Sequence, residues 1–287
     1  MKALVTGAGG QVGRALVAAA PEGWSVAALT RAELDIGAAE AVAATVDALA
    51  PDVIFNAAAY TAVDKAESEA DLAFRINRDG AGHLAKAAAA RGARLIHIST
   101  DFVFDGRSGL PYLPTDATAP LGVYGASKLA GEAAVAWALP EALILRTAWV
   151  YAATGANFLN TMVRLMASRS EIGVVSDQIG APTSAASVAG ALWRLMDLGA
   201  AGVWHYTDAG VASWYDFAQA IAEEAVAAGV LATAAKVKPI TTADYPTAAR
   251  RPAYSVLDKT ATFALLGEAA PHWRVNLRRE LARMKAC

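Results

Sequence analysis

Cysteine is almost absent from this chain of 287 residues, because Cys287 at its very end is the only one. Disulfides within the chain are therefore impossible, and a metal site built from cysteines is excluded. The carboxylates and histidines show no spacing typical of metal ligands, so we predict no metal. His97 and His205 fall in strand-like runs, where we expect a satisfied core role.

The chain also lacks an excess of either charge and any long apolar run. Lysine and arginine total 25 against 27 aspartates and glutamates, for a net charge of -2 and a pI near 6.1. Nucleic acid and membranes are therefore not expected as partners. The N-terminus enters a strand pattern without a secretory signal, so we expect a cytoplasmic protein.

Hydrophobic residues make up 55% of the chain, which is enough for a large core. Strand patterns alternate with helical ones and predict an α/β fold with a Rossmann-type doubly wound parallel sheet. The predicted strands are Lys2–Thr6, Ser25–Leu29, Val53–Asn56, 94–98 and Leu143–Thr147. The helices expected between and after them cover 14–20, 38–50, 67–91 and Val123–Ala138.

After residue 150 the pattern changes, and no second nucleotide-binding fingerprint occurs. Helices are predicted at 157–167, 187–198, 214–228 and 273–285, with a short strand at 202–206 and a polar loop at 174–183. We therefore predict an NAD(P)-binding Rossmann domain at 1–150. Residues 151–287 are expected to form mainly a substrate-binding lobe that is interleaved with the sheet.

The first strand is followed at once by the glycine-rich turn 7–13 and then by a helix. Its glycines Gly7, Gly10 and Gly13 permit a tight turn, close approach of the backbone to a pyrophosphate, and close helix–strand packing. The helix N-terminus adds N–H groups and a positive dipole. This context favours a dinucleotide over the alternative, an ordinary turn.

The end of the second strand is where such folds choose their cofactor. An acid there is typical of NAD, and a basic residue accommodates the 2′-phosphate of NADP. The chain offers Thr30 and Arg31, with Asp35 a little further on. Arg31 favours NADPH, with NADH possible, and a solvated arginine is the alternative interpretation.

Tyr124 and Lys128 are four residues apart in a predicted helix and therefore share one face. An ammonium beside a phenol lowers the pKa of the phenol, which then passes a proton to a carbonyl more readily near neutral pH. Thr100 and Asp101 follow the fourth strand, at the edge where parallel sheets bind ligands. The alternatives are a packed tyrosine with a solvated lysine, and an ordinary polar turn.

Together the glycine turn, the sheet-end Thr100 and the Tyr-x-x-x-Lys pair resemble the extended short-chain dehydrogenase/reductase superfamily. Further blocks are close to the signature of its dTDP-4-dehydrorhamnose reductases, and they come in that family's order. These blocks are residues 56–67, 99–104, 123–132, 146–151 and 177–183.

The resemblance implies reduction of the C4 keto group of dTDP-4-dehydro-β-L-rhamnose to dTDP-β-L-rhamnose by NADPH or NADH. Tyr124 then corresponds to the proton donor, and Lys128 to the residue that binds the nicotinamide ribose. The implied substrate-binding residues are Thr100, Asp101, Trp149, Val63 and Arg251, where Trp149 is either core or pocket wall. The implied cofactor-binding residues are Gly7, Gly10, Gln11, Val12, Gly13, Thr30, Arg31, Asp35, Ile36, Ala58, Ala59, Tyr60, Tyr124 and Lys128.

Two departures from the family matter. Some relatives carry an acid where Thr30 stands, and its absence weakens a preference for NADH. Some relatives also dimerise through a magnesium ion held by glutamates, where this chain has Ala15 and Ala186. We therefore expect a monomer or a weak homodimer without that metal.

Two other functions stay open. A sugar-nucleotide 4-epimerase or 4,6-dehydratase of the same superfamily would recycle tightly held NAD, although a dehydratase wants a second acid where Phe102 follows Asp101. The second open function is that of a non-catalytic regulatory subunit, resembling that of methionine adenosyltransferase. It would have no chemical need for Thr100, Tyr124 and Lys128 together.

Overall fold

The computed structural model describes residues 1–286, so Cys287 lies outside the described residues. Its strands are β1 Lys2–Thr6, β2 Ser25–Leu29, β3 Val53–Asn56, β4 Arg94–Thr100, β5 Leu143–Thr147, β6 Val150–Tyr151, β7 Glu171–Val175, β8 Ile179–Gly180, β9 Thr183–Ser184, β10 Gly202–His205, β11 Ala212–Ser213 and β12 Lys236–Ile240. Most of them are short, and only six form the main sheet.

The helices surround that sheet. They are α1 Gln11–Ala18, α2 Ala39–Leu49, α3 Val63–Ala66, α4 Ala70–Phe74, α5 Ala81–Arg91, α6 Val123–Ala138, α7 Phe158–Ser168, α8 Ala185–Asp197, α9 Trp214–Ala227, α10 Thr260–Leu266 and α11 Trp273–Ala286. A π-helical segment, Arg75–Gly80, joins α4 to α5, and short 3-10 turns cover Asp101–Val103 and Thr242–Asp244. Of the helices described, none is long and apolar enough to cross a membrane.

The main sheet is parallel throughout, with strand order β10-β5-β4-β3-β1-β2. The chain builds from β1 outward to β2, then crosses to β3 on the other side of β1. Ligands of such sheets bind at this reversal, beyond the carboxyl ends of the strands. The predicted Rossmann-type α/β fold is confirmed.

Residues from the C-terminal half take part in this sheet. Strand β10 is its outermost strand, next to β5. On one face of the sheet α8 packs on α1, where the Trp193 indole donates to the Leu16 carbonyl at 3.0 Å. A second core joins α7, α9 and α11 to the pair β7–β12. The division at residue 150 stays a prediction.

Two predicted elements were wrong in their bounds. The helix expected at 67–91 begins only at Ala70 and contains the π-helical segment, whose buried Asn77 side chain contacts the Tyr60 backbone at 2.8 and 3.1 Å. The loop expected at 174–183 contains the end of β7, the whole of β8 and the first residue of β9, and β8 pairs with β11 and β9 with β6. Both differences arise from partners distant in the sequence.

Smaller corrections concern the edges of the site. Strand β4 runs to Thr100 rather than ending at residue 98, so Ser99 and Thr100 are strand residues. Helix α1 begins at Gln11, directly after the glycine turn, instead of at residue 14. These residues therefore have less conformational freedom in the strand and the helix than they would have in a loop.

Helix α6 reaches the π-helical segment only because position 131 is glycine. A Cβ added at Gly131 would lie 2.1 Å from the Asn77 carbonyl oxygen, which belongs to rigid backbone. We predict that Gly131→Ala lowers the free energy of unfolding by about 2 kcal/mol, as overpacked sites do. Urea unfolding followed by circular dichroism measures this.

The matched control is Gly190→Ala in α8, where an added Cβ meets no atom within 4 Å. That change should leave stability equal or raise it by about 0.5–1 kcal/mol, because alanine favours helix. Equal midpoints for the two variants would contradict the close approach of α6 to residue 77.

Candidate active site

One cavity of about 800 Å³ opens at the carboxyl edge of the sheet, where the strand order reverses. It is lined from the β1–α1 turn, from the segments after β2, β3, β4 and β5, and from α6. All but three of the residues predicted for the site border this cavity. The exceptions are Gly13, Thr30 and Tyr60.

The half of the cavity nearest β1 contains the predicted dinucleotide residues. They are Gly7, Gly10, Gln11 and Val12 from the glycine turn, Arg31, Asp35 and Ile36 beyond β2, and Ala58 and Ala59 beyond β3. Gly10 precedes α1 without a side-chain cap, so the N–H groups of the first helical turn stay open to an anion.

The glycines fit a turn that a larger residue would block. Gly7 has φ +67°, and a Cβ there would lie 2.6 Å from Ala58. A Cβ on Gly13 would lie 2.3 Å from the Gly7 carbonyl oxygen, so Gly13 supports the turn from behind and does not face the cavity. The cradle suits a pyrophosphate approaching the backbone.

Of the two charged residues beyond β2 that line the cavity, Asp35 is ion-paired and Arg31 is not ion-paired to any of the described residues. Asp35 forms an ion pair with Arg75 at 2.9 Å, and that hydrogen bond lowers the pKa of the carboxyl. Arg31 is exposed at the cavity wall and donates no hydrogen bond to any of residues 1–286. Thr30 points elsewhere, since its hydroxyl donates to Glu33 at 2.8 Å. Arg31 is therefore available to an anionic group.

The other half of the cavity contains the predicted reacting groups. Tyr124, half-buried, and Lys128, 2% exposed, both reach it from α6, and Thr100 and Asp101 reach it from the end of β4. The Thr100 hydroxyl donates to Asp101 Oδ1 at 2.9 Å. The Tyr124 ring packs edge-on against Phe102, with centroids 5.5 Å apart.

The expected lowering of the Tyr124 pKa was wrong. Burial raises the pKa of Tyr124 to about 12, with the hydrogen bond of Thr100 acting in the opposite direction. Burial also lowers the pKa of Lys128 to about 8, against the charge of Glu132. Burial is thus the largest influence on both groups, and Lys128 Nζ donates to the Ile98 carbonyl oxygen at 2.6 Å.

Asp101 is nearly fully buried, and burial raises its pKa to about 6. Beneath it, Glu132 of α6 and Arg146 of β5 form a buried ion pair at 2.7 Å, and Ser99 also donates to Glu132. Sequence reasoning missed this pair, although its residues lie within the blocks 123–132 and 146–151.

Trp149 lines the same half of the cavity as Tyr124 and has φ +50°, a left-handed backbone that residues with side chains rarely adopt. Its ring stacks on Trp214, with centroids 3.5 Å apart and planes 6° apart. Gly180 leaves room for it, because a Cβ there would lie 2.5 Å from the indole. The sequence did not point to Trp214, which is 65 positions away.

Arg251 and Val63 also line the cavity. Arg251 forms an ion pair with Asp64 at 2.9 Å, which joins the C-terminal segment to the start of α3. Within residues 1–286, no group of three or more histidine, cysteine, aspartate or glutamate side chains is placed to hold a metal ion.

The parallel sheet with its reversal, the glycine turn and the Tyr124–Lys128 helix facing one cavity define a reductase of the extended short-chain dehydrogenase/reductase class. The model of the family described as RmlD substrate binding domain matches residues 1–286. The chain belongs to this family, that of the dTDP-4-dehydrorhamnose reductases.

Its relatives are similar along almost their whole length. The dTDP-4-dehydrorhamnose reductase of Aggregatibacter actinomycetemcomitans is 44% identical and that of Burkholderia thailandensis 46%, each with 96% of both chains covered. The crystal structure of the Bacillus anthracis dTDP-4-dehydrorhamnose reductase, in complex with NADP, superposes with a TM-score of 0.93 at 37% identity. It covers 98% of this chain and 99% of that one.

The tryptophan stack yields a stability prediction. Trp214→Ala removes the ring that holds Trp149 in its left-handed conformation, and we expect the free energy of unfolding to fall by about 2–3 kcal/mol. Trp214→Phe, which keeps an aromatic face, should lose less. Urea unfolding measures all variants.

Trp137→Ala is the matched control, because Trp137 is 80% exposed and stacks on no ring among the described residues. Its unfolding midpoint should stay within experimental error of the parent. A loss as large as that of Trp214→Ala would mean that the stack adds nothing specific.

Proposed function

We propose that this protein reduces the C4 keto group of dTDP-4-dehydro-β-L-rhamnose to dTDP-β-L-rhamnose with NADPH, and with NADH more weakly. The observation that carries the proposal is the shared cavity: the glycine turn lies at one end of it, and Tyr124, Lys128 and Thr100 lie at the other. The named relatives support the choice of substrate.

The glycine turn and the N-terminus of α1 bind the pyrophosphate of the cofactor. Arg14, exposed at the cavity wall beside the turn, adds positive charge there. The dinucleotide, when bound, supplies the hydride. The backbone of Ala58 and Ala59 borders the adenosine half, where small side chains keep the cavity open.

Tyr124 donates its proton to the C4 oxygen as the keto group becomes an alcohol. A pKa of about 12 keeps the phenol protonated at neutral pH, which is the form that a donor needs. Thr100 lies beside the same oxygen, and its hydroxyl, which donates to Asp101 Oδ1 in the structure, turns to that oxygen when the substrate binds. Lys128 holds the nicotinamide ribose and returns a proton to the phenolate.

The remaining cavity residues bind the rest of the substrate. Trp149 and Trp214 form an aromatic wall, which suits the apolar face of a 6-deoxy sugar. Arg251, half-buried in its ion pair with Asp64, adds positive charge near Val63, where the nucleotide diphosphate enters. Residues 151–287 thereby act mainly as the substrate-binding lobe.

A monomer or weak homodimer in the cytoplasm completes the proposal. Ala15 and Ala186 are alanines where some relatives carry the glutamates that hold a magnesium ion between subunits. An epimerase or dehydratase would instead copurify with NAD and consume no added NADPH. A regulatory subunit would turn over nothing.

An assay of nicotinamide oxidation tests the activity. It uses a dTDP-4-keto-6-deoxy sugar together with the epimerase that converts this sugar into the proposed substrate. We predict that Tyr124→Phe lowers kcat by ~10²–10⁴, because the proton donor is lost while the ring stays in place. The dissociation constant of NADPH, measured by fluorescence, should change little. Near-normal turnover would refute the assigned donor.

The matched control is Tyr245→Phe, since Tyr245 is 60% exposed and lies outside the cavity. It should keep full activity. If the parent protein itself oxidises no cofactor with this substrate, the proposed reaction fails whatever the variants do.

Arg31 is proposed to bind the 2′-phosphate of NADPH. We expect Arg31→Ala to raise the KM for NADPH about 10- to 100-fold, as the loss of a charge-assisted hydrogen bond predicts. The KM for NADH, which has no such phosphate, should stay nearly constant. Steady-state kinetics with each cofactor measure the ratio.

Arg91→Ala, at the exposed end of α5, serves as control for the loss of one positive charge. Both cofactors should then keep their KM values. An equal effect of Arg31→Ala on NADPH and NADH would contradict a contact with the 2′-phosphate.

A further inference from the structure

A chain of buried hydrogen bonds runs through the sheet to Lys128. It begins at Thr6 of β1, passes through Asn56 of β3 and His97 of β4, and ends at Lys128 of α6. All four side chains are at least 98% buried. Such a chain has few allowed proton arrangements, because each member must donate where its neighbour accepts.

The orientation of the Asn56 amide is fixed at the first step. Its Oδ1 accepts from the backbone N–H of Ala58 at 3.2 Å and from the Thr6 hydroxyl at 2.9 Å. A backbone N–H can only donate, so the atom facing it must be the amide oxygen. The Nδ2 group, which can also only donate, therefore faces His97 Nδ1 at 3.0 Å.

The position of the His97 proton follows from that contact. Nδ1 must accept the Asn56 hydrogen bond and so carries no proton. The ring is then neutral with its single proton on Nε2, and a histidinium would set two donors against each other. Burial, and then the charge of Lys128, lower the pKa of His97 well below its ordinary value, in agreement with a neutral ring.

The Nε2–H group faces Lys128 Nζ at 3.4 Å. An ammonium has three N–H donors and no lone pair, so His97 has nothing to offer it, whereas a neutral amine accepts from Nε2–H. We propose that His97 is a positioning residue of the active site, fixed by Asn56 in the Nε2–H form so that it stabilises the neutral amine of Lys128.

This role has a place in the proton transfer proposed above. When Lys128 passes a proton from Nζ to the phenolate oxygen of Tyr124, the lone pair left on Nζ accepts from His97, and solvent later restores the proton to Nζ. The ionisable groups around Lys128 are His97 from β4, and Tyr124 and Glu132, which lie one turn before and one turn after it on α6. Glu132 favours the ammonium and burial disfavours it, with a pKa of about 8 as the balance.

The protonation state of His97 can be read by nitrogen NMR without any turnover. The chain has only four histidines, so protein labelled with ¹⁵N-histidine gives few signals. His83 and His205 serve as internal references of the opposite form, because their Nδ1 atoms each lie 3.0 Å from a carbonyl oxygen and must donate to it. His97→Gln identifies the signals of residue 97.

For His97 we expect a bare Nδ1 and a protonated Nε2 from pH 6 to 9. The Nε2 signal should shift with a midpoint near pH 8 as Lys128 loses its proton. The matched variant Lys128→Met should abolish that shift. A proton on Nδ1, a ring that charges above pH 6, or a shift that persists in Lys128→Met would overturn the proposal.

A second experiment makes His97 stabilise the ammonium of Lys128 instead of the neutral amine, and its kinetic part rests on the proposed function. In Asn56→Asp both side-chain oxygens accept, so the ring proton moves to Nδ1 and Nε2 becomes an acceptor for the ammonium. We expect the limb of the pH profile of kcat that follows Lys128 to move up by about one pH unit. NMR on this variant should show the proton on Nδ1.

The control is Asn56→Asp in a His97→Gln background, which introduces the same negative charge where no imidazole is present. There the limb should move by less than half as much. An equal movement in both backgrounds would attribute the effect to charge alone and overturn the role of His97. Failure of the proposed reaction would remove only these kinetic results, because the NMR result needs no substrate.

Discussion

The buried ion pair between Glu132 and Arg146 is the contact on which the geometry of the site depends. Glu132 lies one turn after Lys128 on α6, and Arg146 directly precedes Thr147 at the end of β5. Because Ser99 donates to the same carboxylate, α6, β4 and β5 meet at one group directly below Thr100. Removing one partner leaves an unpaired buried charge, which costs about 3–5 kcal/mol.

The same arginine reaches past the sheet. Its guanidinium donates to the Pro114 carbonyl oxygen at 3.3 Å and lies over the Phe104 ring, 5.1 Å from its centre. The loop that precedes α6 is thereby held to β5, and the direction in which α6 enters the site is set with it. The rigid support lies beneath the reacting groups, so the cavity above them stays free of structural ion pairs except at its rim.

Local patterns account for what the sequence could predict. The strands Lys2–Thr6, Ser25–Leu29, Val53–Asn56 and Leu143–Thr147 were predicted with their observed bounds, because apolar runs next to glycine or helix signals are short-range features. The pairing of Asp35 with Arg75, the stacking of Trp149 on Trp214, and the π-helical segment depend on residues far apart in the chain. No single-sequence pattern encodes such contacts.

The pKa values of Tyr124 and Lys128 show why desolvation outweighs charge in this pair. Burial is the largest influence on each pKa, and Lys128 Nζ is hydrogen-bonded to the Ile98 carbonyl and lies against His97. Burial then separates the two pKa values to about 12 and about 8. In the proposed reaction the proton therefore stays on the phenol until the substrate oxygen takes it, and its return from Lys128 to the phenolate is favourable. A reductase needs its donor loaded before hydride transfer, so a tyrosine with a raised pKa beside a lysine with a lowered one suits the reductive direction.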